Sequence, residues 1–434
     1  MPSSQDVVII GAGIAGISAG HHLKARKINN IIYESKSRPG GHIGNFTIEG
    51  FRFDNAIHLS FTKNDYVRKF FDKVNYIAHE PNAYCLENKR WLRHPIQNNL
   101  YNLPVEEKVE LLESFLNRPS EYLPKNFYEW LVTQYGEKIA IRYPVKYTKK
   151  YWGMSPENLN LNWVEKRFRA PKFEEILGGA IEDKKENHYY ADEMRYPEKG
   201  GYFEFVRPIA DELNIKCNTN VESIDIESKT VNLNDKSIVH FNQLISTVPL
   251  PKICKMIKSC PKEVAEAGKR LLWTTVDLIS IGLKKSNIPP PYLWWYIYDE
   301  KNIASRCYSP SMKSPDNAPL GCSSLQFEIY NLSTKEKYSP SFLIENIKDS
   351  LLDMNICEEK DIIFMNHKHL PFGNVTFYSE MESDRKIVSN FLAKNNIFSC
   401  GRFGEWDYFW SDESFMSGKN ASDKVEINSL NKQR

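Results

Sequence analysis

The hexapeptide Gly11-Ala12-Gly13-Ile14-Ala15-Gly16 constrains this chain more than any other stretch. Before it, Val7-Val8-Ile9-Ile10 is a β-branched run, as in a strand buried on both faces. After it, an Ala/Leu/His-rich helical pattern extends to about Lys27. The three glycines have separate tasks at this spacing. Gly11 allows the tight turn, Gly13 lets a pyrophosphate approach the backbone, and Gly16 lets the helix pack closely on the strand. The start of the helix, around Ala15, offers N–H groups and the positive end of its dipole. A second strand, Asn30-Ile31-Ile32-Tyr33, ends in Glu34 and Ser35. Glu34 stands 18 residues after Gly16, where a carboxylate meets a ribose diol. A glycine-rich turn holding no ligand is the competing reading. The two flanking strands and the acidic residue weigh against it.

Composition excludes several classes of function. The 57 basic residues almost balance 55 acidic ones, so no overall charge draws the chain to nucleic acid or an anionic membrane. Any anionic ligand must be held by local arginines. Eight scattered cysteines form no C-x-x-C pair, which reads as reduced thiols rather than a disulfide framework or zinc site, and no metal is expected. The apolar stretch 7–19 contains three spaced glycines and no basic leader, so it is not read as a signal peptide or membrane span. A soluble, cytoplasmic protein of unspecified oligomeric state is expected. The tail after Val425 is polar.

Beyond Glu34 the chain continues Ser35-Lys36-Ser37-Arg38-Pro39-Gly40-Gly41-His42. This resembles the E-x-x-x-R-x-G-G extension of amine oxidases, protoporphyrinogen oxidases and UDP-galactopyranose mutases. Gly40 and Gly41 let the chain pass beside a cofactor, and Arg38 can reach its phosphate or adenosine side. The resemblance favours non-covalent FAD over NAD, with NAD(P)H a candidate reductant. It implies a fold of the α/β class: a Rossmann-type FAD-binding domain with inserted helical and mixed-sheet substrate domains. The FAD-binding domain is expected from 1–75, 200–255 and 385–434. A mostly helical cap takes 76–199, and a sheet-containing substrate domain takes 256–384.

Within the cap, 105–116 is amphipathic and 127–141 carries apolar residues at helical spacing. Tyr147-Thr148-Lys149-Lys150-Tyr151-Trp152 resembles a Y-x-x-K-x-W run that lines the cleft in the mutase and protoporphyrinogen oxidase families, which would make Trp152 substrate-binding. Ordinary packing of aromatics, with solvated lysines, is the alternative. His58 fits a position that lies near the flavin in mutases, although Ala56 and Ile57 replace the usual paired glycines. A core histidine bonded to a backbone carbonyl is the other reading. A helix is expected from Tyr202 to about Leu213. In these families a valine at the position of Val221 meets the adenine. Strand-like runs at 276–283, 292–298, 323–330 and 362–366 predict a mixed or antiparallel sheet.

Near the C-terminus, Gly401-Arg402-Phe403-Gly404-Glu405-Trp406-Asp407-Tyr408 precedes Asp412-Glu413-Ser414-Phe415-Met416-Ser417-Gly418. A flavin needs a cation at its pyrophosphate, an acceptor for ribityl hydroxyls and N–H donors at its ring carbonyl. Arg402, Asp412 and the helix start near Ser417 supply these types. The run resembles the end of eukaryotic-type UDP-galactopyranose mutases, with Glu413 where those usually carry histidine. Trp294, Tyr296 and Arg306 keep the W-x-Y-x9-R spacing by which that family grips a nucleotide sugar, and Tyr408 would add a hydroxyl to the same phosphates. An aromatic strand with a chance arginine is the alternative.

Three functions share these motifs. The first is a mutase-like ring contraction of a nucleotide-linked sugar through N5 of reduced flavin, with a place in polysaccharide biosynthesis. In it His58, Tyr296, Arg306 and Tyr408 serve catalysis, and the partner is a small molecule. The second is an amine oxidase or protoporphyrinogen oxidase type of oxidoreductase. The third is a non-catalytic binder of the Rab GDP-dissociation inhibitor kind, which the intact glycines, Glu34 and Arg402 oppose. No sugar-gripping asparagine is assigned around Asn187.

Overall fold

A computed structural model describes residues 3–119, 121–164, 167–168, 171–183 and 191–431. Two seven-stranded sheets organise the chain. In the first, the Ser3–Ile10 strand is central. It runs parallel to Asn30–Tyr33, with Val7 opposite Asn30, and parallel to Ile238–Ser246, with Ile10 opposite Ser246. Ile215–Lys216 extends the parallel set beyond Tyr33, and Ile397–Ser399 lies along the end of Ile238–Ser246. The antiparallel strands Val221–Asp225 and Thr230–Leu233 finish the edge. Val7, Val8, Ile9 and Ile10 are all buried, as a strand covered on both faces requires.

The Ile14–Ala25 helix follows this strand and packs on the Ser411–Asn431 helix. That contact is made backbone to backbone. A Cβ on Gly418 would lie 2.1 Å from the Ala15 carbonyl oxygen, and one on Gly16 would lie 1.9 Å from that of Gly11. Only glycine fits at either position.

The second sheet runs Ile362–Leu370, Thr274–Leu283, Ser323–Leu332, Arg306–Tyr308, Trp294–Ile297, Ala83–Glu87, Arg90–Arg93. Its pairs are antiparallel except Trp294–Ile297 with Ala83–Glu87. The sheet therefore draws two strands from the range expected to be mostly helical. The Pro340–Asp353 helix covers one face, placing Leu343, Ile347 and Leu351 against Ile279, Ile281 and Phe327. The other face turns toward the first sheet.

The segment before the first sheet resumes contributes the helices Val105–Leu116, Phe127–Tyr135 and Lys146–Trp152, the last packed on Ser323–Leu332 of the second sheet. The expected continuous helix over 127–141 is interrupted. Gly136 adopts φ +78°, and a Cβ there would meet the Ser114 carbonyl at 2.3 Å. The chain resumes as Glu137–Ala140, then a π-helical turn, Ile141–Val145, that accommodates Pro144. The expected helix from Tyr202 is likewise two short turns, Tyr202–Phe205 and Arg207–Ala210. Pro208, which has no N–H to continue a helix, starts the second. No described helix is long and apolar enough to cross a membrane.

Candidate active site

A cleft of about 340 Å³ opens between the two sheets, room for an organic ligand rather than a few waters. Its floor is the glycine turn. Gly11 and Gly13 line it, and Gly13 caps the Ile14–Ala25 helix without any side-chain hydrogen bond, leaving first-turn N–H groups at the cleft. A Cβ on Gly13 would meet nothing within 4 Å, so the space beside it is open. Glu34 is held in place at this end. Its Oε2 accepts from the Ala12 N–H at 2.8 Å and its Oε1 from the Lys36 N–H at 2.9 Å. Ala15, Gly41 and His42 complete the floor. Burial, with Arg402 nearby, lowers the His42 pKa to about 3, so its ring is neutral at pH 7.

Arg402 comes from the turn after Ile397–Ser399. Its Nε donates to the Phe409 carbonyl at 2.9 Å and its guanidinium lies 4.8 Å over the Tyr408 ring. Its Nη1 is 3.4 Å from Oδ1 of Asn374, whose buried Nδ2 has no hydrogen-bond partner among the described residues. Asp412 also lines this wall.

The opposite wall carries Trp294, Tyr296 and Arg306. Trp294 and Tyr296 point to one side of their strand by the two-residue repeat, and Tyr296 pairs in register with Arg306. Arg306 Nε donates to Oε2 of Glu328, its cross-strand neighbour, which is fully buried. Arg306 Nη2 reaches Tyr330 Oη at 3.2 Å, and Tyr330 donates to the same carboxylate oxygen at 2.9 Å. Burial alone would lower the Arg306 pKa, but Glu328 together with Tyr330, Tyr151 and Tyr147 outweighs it and holds the guanidinium charged. Tyr151 lies beneath, its ring 5.5 Å from Arg306, and its hydroxyl is 2.9 Å from that of Tyr408.

His58 is bonded to a backbone carbonyl and also borders the cleft. Its Nδ1 is 3.0 Å from the Ala56 carbonyl, and it lines the cleft. Burial lowers its pKa to about 4. Ala56 adopts φ +79°, the conformation a glycine would favour. The next residue, Ile57, donates its N–H to Glu328 Oε1 at 2.6 Å, so one carboxylate ties the His58 loop to Arg306.

Other sequence-selected residues stand outside the cleft lining. Gly16 serves helix packing, whereas Ser35 and Arg38 are exposed. Val221 is buried in its strand. Ser417 accepts from the Gly401 N–H at 2.7 Å and donates to Glu405, fixing the turn that bears Arg402. Trp152 supports Tyr408 from behind, ring centroids 5.4 Å apart. The stretch around Asn187 is outside the described residues. Sequence reasoning missed Glu328, Tyr330 and Asn374. Glu328 and Tyr330 had a signal: a carboxylate and a hydroxyl two residues apart in an apolar strand share a face and need a partner.

The fold has known counterparts. Residues 9–74 match the family described as NAD(P)-binding Rossmann-like domain. A solved structure of a reduced UDP-galactopyranose mutase superposes with a TM-score of 0.90 at 27% identity, covering 98% of this chain and 95% of that one. A protein from Exiguobacterium assigned as a protoporphyrinogen oxidase gives 0.75 at 15% identity, over 99% and 100% of the two chains. Cyclohexylamine oxidase from Brevibacterium oxydans gives 0.68 at 14%, over 98% and 99%. At those identities the two oxidases speak for the fold alone. This chain is thus similar to a UDP-galactopyranose mutase over nearly its whole length, and its α/β architecture, with a Rossmann-like N-terminal unit, is one that the two oxidases also adopt.

Proposed function

We propose that the chain binds FAD non-covalently and rearranges the sugar ring of a nucleotide-linked sugar, as a UDP-galactopyranose mutase-like enzyme. The observation that carries this reading is the placement of Trp294, Tyr296, Arg306 and Tyr408 on the cleft whose floor is Gly13 and Glu34. The residues fit the cofactor. Glu34 is oriented for a ribose diol, the first-turn amides and Arg402 for a pyrophosphate, and the space beside Gly13 is open to receive it.

FAD, when bound and reduced, would supply a nucleophilic nitrogen for the anomeric carbon. This chain would do the rest. Arg306, with Tyr296 and Tyr408, holds the diphosphate as it departs and returns, so the leaving group stays within reach of the sugar. Trp294 and Tyr296 supply an aromatic wall for the nucleotide. His58, neutral at pH 7, accepts or returns a proton at Nε2 while Nδ1 donates to Ala56.

The deciding experiment is anaerobic. Reduced, FAD-loaded protein given UDP-galactopyranose should yield the furanose form without net flavin oxidation. Substrate-driven bleaching of oxidised flavin by an amine, with no furanose product, would replace this reading with the oxidoreductase.

A further inference from the structure

Lys150 is the residue of the cap whose position its sequence explains least. It is set between Tyr147, which packs on Tyr296, and Tyr151, which lines the cleft, and its ammonium is bound elsewhere. Its Nζ lies 2.6 Å from the carbonyl oxygens of Asp299 and Asn302, 3.0 Å from that of Ile297 and 3.2 Å from that of Ala304. Three N–H bonds thus serve four carbonyls, which leaves no donor for solvent. All four carbonyls belong to the end of the Trp294–Ile297 strand or the connection leading to Arg306–Tyr308. The same short helix grips this hairpin again through its backbone, since Ser305 Oγ donates to the Lys150 carbonyl at 3.1 Å. From the cleft side, Tyr151 supports Arg306 and Tyr147 packs edge-on against Tyr296, ring centroids 5.1 Å apart.

We propose that Lys150 is a positioning residue for the substrate clamp: its ammonium, wrapped by the 297–304 backbone, sets how Tyr296 and Arg306 meet a nucleoside diphosphate. The connection needs such an anchor. Its carbonyls converge on one point, and converging carbonyl dipoles repel unless a cation sits among them. Burial, which Asp299 and Glu300 offset only in part and Lys146 reinforces, lowers the Lys150 pKa to about 7, so it is the four carbonyl acceptors within 3.2 Å that call for the ammonium form. The carbonyl cage satisfies an ammonium, whereas a neutral side chain of the same length would leave several acceptors unpaired. The ligand's identity rests on the nucleotide-sugar reading above; the anchoring role does not.

The test uses FAD-loaded full-length protein and UDP as the probe. Lys150→Met keeps the apolar stem and removes the donors. Its UDP dissociation constant should rise about 10-fold or more, with kcat for the bound sugar changed far less than KM. Amide exchange across 298–305 should quicken. Lys150→Ala should behave alike and recover UDP affinity in propylammonium, which restores the missing atoms. Lys150→Gln, with two N–H donors, should fall between and serves if Lys150→Met does not fold. Unchanged UDP affinity and unchanged exchange across 298–305 in Lys150→Met or Lys150→Gln would overturn the proposal. Wild-type protein that ignores UDP would overturn the nucleotide-sugar reading instead. In that case the exchange rates alone decide the role of Lys150.

Discussion

Arg306 reaches the cleft already joined to Glu328. Its Nε donates to a carboxylate with no solvent exposure, and Tyr330 closes the triangle by bonding both. The cation that faces the ligand is therefore oriented from behind by a fixed anion. Glu328→Gln keeps the shape and removes that anion, leaving a largely buried guanidinium without its counter-charge. Breaking such a pair is expected to cost about 3 kcal/mol. The urea midpoint of the variant should fall accordingly, and a midpoint equal to the wild type would mean that the pair contributes nothing.

Arg306→Lys tests the cleft side of the same relationship. Lysine can still meet Glu328 but cannot span Glu328, Tyr330 and a phosphate together. UDP binding measured by calorimetry should weaken about 10-fold while the bound-flavin spectrum stays as it is. Full retention of UDP affinity would remove Arg306 from the clamp.

Gly13→Ala separates folding from cofactor binding. Gly13 has an ordinary φ of −73°, and its added methyl would touch no protein atom within 4 Å, so the cofactor-free protein should melt as before. The methyl enters the space beside the first-turn amides, and FAD retention should drop sharply. Gly11→Ala behaves differently. At φ +97°, with Thr247 Oγ1 only 2.1 Å from the new Cβ, the fold itself should be destabilised. Equal FAD content in Gly13→Ala and wild type would show that the pyrophosphate lies elsewhere.

Ala56→Gly should stabilise the protein. At φ +79° an alanine carries about 1 kcal/mol of strain, of which glycine's greater freedom in the unfolded chain returns only part. A net gain of roughly 0.5 kcal/mol is expected in urea unfolding. A loss would mean that the Ala56 methyl has a packing role of its own.

Acid should unfold the protein through its buried histidines. Burial lowers His42 and His94 to about 3 and His58 to about 4. In the unfolded chain each takes up its proton near 6.5, so the folded state binds fewer protons between these values. The stability they contribute is complete above about pH 6.5 and is lost as pH falls toward the folded pKa. At pH 5 each such histidine is worth on the order of 2 kcal/mol less than at pH 7. His58→Gln should therefore lose about that much less than wild type between pH 7 and pH 5, measured by urea titration at both. Parallel curves for the two proteins would contradict a neutral, buried His58.

The glycine turn, Glu34 and Arg402 are legible in the sequence as local patterns: a spacing, a flanking strand, a charge at a strand end. Trp294, Tyr296 and Arg306 stand out only through their resemblance to a family spacing. Of the three glycines and these side chains, all but Gly16 line the cleft. Glu328 and Lys150 are not legible, because their meaning depends on partners supplied by register and by distant segments. Nothing near Lys150 announces four carbonyls from residues 297–304, and solvation is the ordinary expectation for lysine. The break at Gly136 is hidden for the same reason: its cause is the Ser114 backbone in a neighbouring helix. Ala56 shows the converse. The side chain departs from the glycine pattern, yet the backbone keeps the glycine conformation, because Glu328 and His58 hold the loop on either side.

The bare-backbone contact of Gly418 with Ala15 also sets an order of events during synthesis. The Ser3–Ile10 strand and its parallel neighbour Asn30–Tyr33 are made early, but the parallel neighbour on the other side arrives only with residues 238–246, and the helix that seals Ala15 only with residue 418. Parallel pairing over such separations is slow to form. The glycine turn must therefore wait without its covering helix while about four hundred residues are added, until Gly418 is made. Nascent chains halted before residue 418 should be the ones that depend on chaperones and cannot retain a dinucleotide.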